Sequence, residues 1–238
     1  MPRLINNDAL GALNSLADKS IDAVISDPPF GVTISKGDRF DEWGEWWNQI
    51  NRIRKPRAPV VLFASIPFSF DLYNTNPNQF RYRWVWQKNM GTNPFHAKRM
   101  PLRFTEEVMV FGDPDSIYYP QRTTGHTPTR SAKGKSSGKV YSGTNSRSYE
   151  GGDTTRLPGD ILVFNMVDPK KRIHSQQKPI DLMEYLIATY SQRGDRILDP
   201  FMGSGTTIVA AKVLGRRAIG IEKDPEYFKL ARERIRNG

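Results

Sequence analysis

Residues 196–222 read RILDPFMGSGTTIVAAKVLGRRAIGIE, and this stretch decides the fold. Residues 196–199 have the apolar pattern of a buried strand, and residues 206–214 have that of a helix. A second β-rich run follows at residues 217–222. A strand, a helix and a second strand in this order predict a β-α-β unit, in which the two strands lie parallel in one sheet.

The same alternation continues on both sides of this unit. Residues 225–236 have helical periodicity, and an earlier helix is predicted to begin at Pro179 and to end at Gly194. Near the start of the chain, a short strand and a helix precede the β-rich run at residues 21–26. We therefore predict an α/β fold with a Rossmann-like, doubly wound and mostly parallel sheet covered by helices on both faces.

The middle of the chain differs from both ends. Two β-like runs, residues 82–87 and 107–111, predict an antiparallel hairpin at the sheet edge. Residues 121–156 are rich in Gly, Ser, Thr and basic residues, so we predict a flexible basic insertion that is either a solvated loop or a segment that orders on DNA. The candidate DNA-binding residues in it are Arg122, Arg130, Lys133, Lys135, Lys139 and Arg147.

Composition favours a nucleic-acid partner and excludes several classes of site. The chain has 35 Lys and Arg against 25 Asp and Glu, a net charge of +10, and a pI near 9.8. It has no cysteine and three histidines, which exclude disulfide frameworks and thiol nucleophiles and predict that no metal is used. No apolar run approaches the roughly 20 residues of a membrane span. We expect a cytoplasmic protein, and no membrane partner.

Two loops carry the residues suited to chemistry. In the first, Asp27-Pro28-Pro29-Phe30 follows the predicted strand at 21–26, and its prolines force the chain out of the sheet. In the second, Asp199 is followed by Phe201, Gly203, Ser204, Gly205 and Thr206, and the glycines let a ligand approach the backbone. Glu222 ends the next strand, where an acidic side chain accepts hydrogen bonds from ribose hydroxyls in such folds. Asp199 at the loop entrance suits a cationic ligand.

Taken together, the two loops and the segment Gln177-Lys178-Pro179 resemble the β-class of amino-group DNA methyltransferases, which use S-adenosylmethionine. The resemblance covers residues 4–64 and 174–236 and implies the circularly permuted order, with the catalytic loop first and the cofactor loop last. It divides the chain into a catalytic half (1–87), the edge strands with a target-recognition insertion (88–173) and a cofactor-binding half (174–238).

The resemblance also implies roles for single residues. Asp27, Pro28, Pro29 and Phe30 match the catalytic loop, with Phe30 in place of the commoner tyrosine. The positions that match cofactor contacts are Asp8, Lys178, Asp199, Phe201, Gly203, Ser204, Gly205, Thr206 and Glu222. S-adenosylmethionine is the implied cofactor, S-adenosylhomocysteine the product, and DNA the partner, with a homodimer also open. The resemblance also implies a prokaryotic or phage-like protein that is associated with the nucleoid through DNA.

The physical reason for the Asp-Pro-Pro-Phe loop is the weak nucleophilicity of a base amino group. Acceptors from Asp27 and the Pro28 carbonyl can take its two N–H hydrogens and direct its lone pair toward a methyl donor. The resemblance implies adenine N6 rather than cytosine N4, because aspartate at the head of this loop is commoner in the adenine enzymes of that family and serine in the cytosine enzymes. Alternatives are a cytosine N4 enzyme or a nucleic-acid-binding protein with this fold and no activity. A nicotinamide dehydrogenase is disfavoured, because Ile208 replaces the third glycine of the dinucleotide fingerprint.

Overall fold

The computed structural model describes residues 2–30, 40–137, 144–149, 151–173 and 177–237, with the backbone alone at 132–137, 144–149 and 171. The helices are α1 (Ala9–Asn14), α2 (Trp43–Ile53), α3 (Phe68–Thr75), α4 (Ile180–Tyr190), α5 (Thr206–Val213) and α6 (Pro225–Asn237). The strands are β1 (Arg3–Asn6), β2 (Ala23–Ser26), β3 (Val60–Ala64), β4 (Phe80–Thr92), β5 (Arg103–Phe111), β6 (Ala132–Ser137), β7 (Thr144–Tyr149), β8 (Ile161–Val163), β9 (Arg196–Asp199) and β10 (Arg217–Glu222).

Eight of these strands form one sheet in the order β1-β10-β9-β2-β3-β5-β4-β8. All neighbouring pairs are parallel except the two that involve β5, which is antiparallel to both β3 and β4. The predicted mostly parallel α/β sheet with an antiparallel hairpin is therefore confirmed. The short strand β8 also lies outside β4, and its three residues are too few for periodicity to reveal it in the sequence.

Helices bury both faces of the sheet. One apolar cluster includes Leu186 of α4 and Ile208 of α5, and the other includes Leu13 of α1 and Trp46 of α2. The regular apolar spacing of α2 explains why its tryptophans are buried in the core rather than free for ligands. No helix within the described residues combines the length and apolar character needed to cross a membrane.

The strand order reverses between β9 and β2, and this reversal positions the site. From β9 the chain passes through α5 to β10 on one side, and from β2 it passes through α2 to β3 on the other. In open α/β sheets, ligands bind in the crevice beyond the carboxyl ends of the strands at such a point. Asp27 and Asp199 lie at these strand ends, one just after β2 and the other at the last position of β9.

Residues 120–159 form a separate compact unit. Within it, β6 and β7 pair in antiparallel fashion, and backbone hydrogen bonds join Thr123 to Arg156 in both directions. The sequence predicts no regular structure here, so the two strands correct that prediction. Their sequences, AKGKSS and TNSRSY, lack the apolar alternation that marks a half-buried strand. Backbone hydrogen bonds pair the two strands without it, so the sequence pattern does not reveal them.

Candidate active site

The strand end that precedes the Asp-Pro-Pro-Phe loop is joined to the glycine loop by a hydrogen bond between buried side chains. The hydroxyl of Ser26, the last residue of β2, donates to Oδ1 of Asp199 over 2.5 Å. The backbone N–H of Phe201 donates to the same oxygen over 3.1 Å. Because β2 and β9 are paired neighbours, Asp27 and Asp199 lie at the same edge of the sheet.

Asp199 is buried among groups that only partly stabilise its charge. Burial raises the pKa of its carboxyl to about 6, against the lowering effect of hydrogen bonds from Ser26, Thr207 and the Phe201 backbone, and the nearby charge of Asp27 raises it further. A buried carboxylate in this state gains from a neighbouring positive charge. The site is therefore electrostatically suited to a cationic ligand.

The glycine loop has the backbone that only glycine adopts without strain. Gly203 and Gly205 have φ angles of 47° and 75°, in the left-handed region. A Cβ on Gly205 would lie 2.9 Å from Cδ1 of Ile235, so this part of the loop packs closely against α6. The N–H of Gly203 donates to Oε2 of Glu222 over 3.0 Å, which places the carboxylate of Glu222 beside the loop.

Glu222 is half-buried at the carboxyl end of β10. Burial raises the pKa of its carboxyl, while hydrogen bonds from the backbone N–H groups of Asp224 and Gly203 oppose that increase. Each carboxylate oxygen has a further lone pair, so Glu222 can accept hydrogen bonds from a diol as well as from the backbone. The adjacent strand β1 ends at the same level, because Asn6 is paired with Glu222.

Asp8 lies at this edge as the N-cap of α1. Its Oδ1 accepts a hydrogen bond from the Gly11 N–H over 2.8 Å, and the residue is exposed. Capping of α1 by Oδ1 is sufficient to explain an acidic residue at this position after β1.

A hydroxyl and a backbone carbonyl of the glycine loop accept hydrogen bonds from α6. Nη1 of Arg234 donates to Oγ1 of Thr206 over 2.8 Å and to the carbonyl of Ser204 over 3.1 Å, and Ser204 and Thr206 are both buried. These contacts hold the loop against the helix. Phe201, by contrast, is half-buried and packs edge-on against Phe40, with ring centroids 5.3 Å apart.

Asp27 belongs to a chain of four alternating charges. Its Oδ2 accepts a hydrogen bond from Nζ of Lys178 over 2.7 Å, and this ammonium lies 3.3 Å from Oε2 of Glu106 on β5. Oε1 of Glu106 lies 3.0 Å from Nζ of Lys88 on β4. The side chains of Lys88 and Lys178 are 1% and 9% exposed, so their charges interact strongly with the two carboxylates.

The pKa shifts within this chain favour ionised side chains. Burial raises the pKa of Glu106, but the charges of Lys178 and Lys88 outweigh it and leave that pKa below its usual value. Burial lowers the pKa of Lys178, but Asp27 and Glu106 outweigh it and the pKa is raised. Lys178, which the resemblance assigns to the cofactor, thus has its ammonium beside Asp27 of the Asp-Pro-Pro-Phe loop.

The last residue of the Asp-Pro-Pro-Phe loop is packed on an aromatic side chain. The ring of Phe30 stacks on Phe68 of α3, with centroids 4.9 Å apart and planes at 23°. Pro28 is buried, and Pro29 and Phe30 are half-buried. The loop therefore packs against α3 through Phe30, a contact that the sequence did not reveal.

The candidate DNA-binding residues lie in the unit formed by residues 120–159. Arg122 forms a 2.8 Å ion pair with Asp153, and Arg130 is exposed. Lys139 lies outside the described residues. The backbone of β6 includes Lys133 and Lys135, and that of β7 includes Arg147.

Sequence reasoning missed Ser26, Arg234, Glu106 and Lys88. For Lys88 a signal existed: Trp84, Trp86 and Lys88 alternate along β4, and all three are buried on one face. A lysine that continues a buried stripe requires a carboxylate partner. Which acidic residue supplies this carboxylate depends on the strand pairing. Within the described residues, no three acidic or histidine side chains are grouped to hold a metal.

The known proteins that this chain is similar to are DNA methylases and methyltransferases. The DNA methylase family matches residues 21–233. The Type II methyltransferase M.HpaI of Haemophilus parainfluenzae is 28% identical over 260 residues, which cover 98% of this chain and 74% of that protein. The crystal structure of the M1.HpyAVI-SAM complex has a TM-score of 0.64 at 26% identity and covers 98% of this chain and 100% of that one.

A further solved structure, the cytosine-N4-specific PvuII DNA methyltransferase, has a TM-score of 0.67 at 17% identity and covers 98% of this chain and 89% of that one. At this identity the likeness concerns the fold alone. The family match spans most of the chain and includes both loops of the site, and the resemblance carried by those loops is confirmed. This chain belongs to the family of N6 and N4 DNA methylases.

Proposed function

We propose that this protein is a site-specific DNA methyltransferase that transfers a methyl group from S-adenosylmethionine to the N6 amino group of an adenine rotated out of the duplex. The observation that carries the proposal is the 2.5 Å hydrogen bond from Ser26 to Asp199, which fixes the catalytic loop beside the glycine loop. Family membership supports the reaction, and the likeness to Type II methyltransferases such as M.HpaI supports site specificity.

The residues at the edge of the sheet suit S-adenosylmethionine. This cofactor supplies an electrophilic methyl group on a positively charged sulfur. The buried Asp199 offers a negative charge that stabilises such a cation, and the half-buried, left-handed Gly203 has no Cβ to block the approach of a ligand to its backbone. Glu222 is the last residue of β10, and Asp8 follows the neighbouring strand β1. Their carboxylates offer hydrogen-bond acceptors for the ribose and the adenine of the cofactor. M1.HpyAVI, which shares the fold, was crystallised with this cofactor.

Asp27 acts on the amino group of the target base. One of its oxygens accepts the hydrogen bond from Lys178, and a carboxylate has about four lone-pair sites, so it can also accept an N–H of the base. As the nitrogen gains positive charge during transfer, the carboxylate stabilises the transition state more than the ground state. Lys178, held by Glu106, positions Asp27, and Phe30 offers a ring on which the base stacks.

The choice of adenine rests on Asp27. In the family that the Asp-Pro-Pro-Phe loop resembles, an aspartate at the head of this loop is commoner in the adenine enzymes. Cytosine N4 is the second candidate, because the family to which the chain belongs includes both N6 and N4 methylases. A DNA-binding protein without activity is the third, and titration calorimetry with S-adenosylmethionine separates it from both enzymes.

The test is methyl transfer from tritiated S-adenosylmethionine to unmethylated bacterial DNA, followed by mass spectrometry of the nucleosides. We expect N6-methyladenine from the wild type, none from Asp27→Ala, and cofactor affinity in that variant within about tenfold of wild type, or about 1.4 kcal/mol. The control is Asp115→Ala, which removes an exposed carboxylate beyond the end of β5, at the opposite edge of the sheet.

Each contrary outcome has its own meaning. N4-methylcytosine in the digest would overturn the choice of base, and turnover by Asp27→Ala would overturn the role of the catalytic loop. Cofactor binding without any methyl transfer to DNA would favour the inactive DNA-binding protein.

A further inference from the structure

The β4–β5 hairpin extends beyond the edge of the sheet at which the site lies. Ala64, the last residue of β3, is paired with Glu107, which is paired in turn with Val85 of β4. β5 begins at Arg103, four residues before Glu107, so the hairpin extends about 13 Å past the end of β3 at about 3.3 Å per residue. The connecting turn, residues 93–102, lies farther out still.

The base of this hairpin is bonded to the catalytic loop. Lys88 of β4 and Glu106 of β5 are the outer members of the charge chain, and Glu106 contacts Lys178, which binds Asp27. The hairpin therefore leaves the sheet at the position of Asp27. Its distal end lies beyond the edge of the sheet at which Asp27 lies.

The turn at the end of the hairpin has its own hydrogen bonds. Asn93 adopts the left-handed conformation with φ 70°, and a 3-10 turn covers Pro94–His96. The backbone N–H groups of Arg99 and Met100 both donate to the carbonyl of His96, over 2.8 and 3.0 Å. These hydrogen bonds define the position of the side chains that the turn presents.

The turn presents apolar side chains to solvent. All residues from 94 to 105 are exposed, and Phe95 is 97% exposed. Met90, Met100, Leu102 and Phe104 are each between 40% and 48% exposed. A fully exposed phenylalanine contributes nothing to folding, since it removes no apolar surface from water. The ring of Phe95 is therefore available to a ligand that would bury it.

The charge of the hairpin indicates which ligand that is. From residue 88 to residue 105 the chain has no acidic residue, and the exposed basic side chains are Lys98, Arg99 and Arg103. Basic side chains around an exposed aromatic ring match the two surfaces of DNA, the phosphates and the base stack. An enzyme that rotates a base out of the duplex also leaves a gap in the stack, which an apolar side chain can fill.

We propose that the hairpin turn binds the DNA duplex, with Phe95 entering the base stack next to the extruded nucleotide and with Lys98, Arg99 and Arg103 contacting the flanking phosphates. The proposal rests on the proposed function, because it requires a DNA substrate and an extruded base. It concerns a surface distinct from the basic unit formed by residues 120–159.

The first experiment separates base extrusion from methyl transfer. The target sequence is identified by sequencing modified bases in DNA from cells that express the wild type. Methyl transfer is then measured on a short duplex that contains this sequence and on the same duplex with an abasic site opposite the target base. Phe95→Ala should lower kcat/KM on the paired duplex by about 10- to 100-fold and on the unpaired target by less than about threefold.

Two variants serve as controls. Phe95→Trp keeps a stacking ring and should retain at least about a third of the wild-type kcat/KM on the paired duplex. Val213→Ala truncates a side chain that is 59% exposed at the end of α5, on the opposite edge of the sheet, and should behave as wild type. The Kd for S-adenosylmethionine should change by less than about twofold in all three variants.

The second experiment tests the phosphate contacts. The double variant Lys98→Gln/Arg99→Gln should reduce the slope of log affinity against log salt on the duplex by about 0.9 for each phosphate that is no longer neutralised. The matched double variant Lys19→Gln/Arg193→Gln removes two exposed charges near the starts of β2 and β9, at the opposite edge, and should leave the slope unchanged.

The outcomes are distinguishable. An active wild type with unchanged kcat/KM in Phe95→Ala, or with equal loss on the paired and unpaired targets, would overturn the role of Phe95. Equal salt slopes for Lys98→Gln/Arg99→Gln and wild type would overturn the phosphate contacts. A wild type that transfers no methyl group to DNA would overturn the proposed function, and this proposal with it.

Discussion

Asp199→Asn should stabilise the cofactor-free protein at high pH and have less effect at low pH. Burial raises the pKa of Asp199 to about 6 in the folded chain, against 3.8 for the free side chain. Between these pH values the folded chain keeps a proton that the unfolded chain releases. The free energy of unfolding therefore falls as the pH rises through this range, and the unfavourable contribution is complete above about pH 6.

The two pKa values set the size of the effect. Their difference of about 2.2 corresponds to about 3 kcal/mol at pH 8. At pH 5 the same values give about 1.6 kcal/mol, so about 1.4 kcal/mol of stability is lost between pH 5 and pH 8 through this one carboxyl. Asparagine does not titrate, so this loss should be absent in the variant. Any constant cost of altered hydrogen bonds cancels when the two pH values are compared.

The assay is equilibrium unfolding in urea of both proteins at pH 5 and pH 8, without cofactor. We expect the stability of Asp199→Asn relative to wild type to be about 1.4 kcal/mol higher at pH 8 than at pH 5. Ser26→Ala should have the opposite effect, because it removes a hydrogen bond that lowers the pKa of Asp199. A relative stability that is the same at both pH values would refute the reasoning.

Two other predictions concern charged side chains. Glu106→Gln leaves two buried ammonium groups short of one negative charge, so it should destabilise the protein by about 3 kcal/mol and lower methyl transfer at least about tenfold with cofactor affinity unchanged. Urea unfolding should show part of that loss restored when Lys88→Met is added, and no restoration would contradict the proposed charge chain. Salt titrations on one duplex test the basic unit, where changing Lys133, Lys135 and Lys139 to glutamine should flatten the slope by about 0.9 for each phosphate that these lysines neutralise. An unchanged slope would favour a solvated loop.

The main features of the fold were predictable from sequence because its signals are local. A strand, a glycine turn and a helix at residues 196–214 are encoded by neighbouring residues, and parallel β-α-β units have few possible arrangements. The Asp-Pro-Pro-Phe loop was found for the same reason, since its prolines mark the end of β2. Strands β6, β7 and β8 were not found, because each lacks apolar alternation or the length to display it.

The candidate site was only half predictable, because its contacts join residues far apart in the chain. Ser26 and Asp199 are 173 residues apart, and Asp27 and Lys178 are 151 apart. Periodicity places each residue at the end of an element, but the identity of its partner depends on which strands are neighbours. The sequence identified the candidate residues, and the strand order determined which of them are in contact.

By itself, the amino-acid sequence determined the class of fold, the two loops and the chemical types of the residues in them, because these depend on short-range pattern and on composition. Only the tertiary structure decided that Lys178 binds Asp27, that Glu106 and Lys88 complete a buried chain of charges, and that Phe95 stands exposed beyond the site. Burial and ion pairing depend on distances across the sheet, and those distances are fixed by strand pairing rather than by separation along the chain.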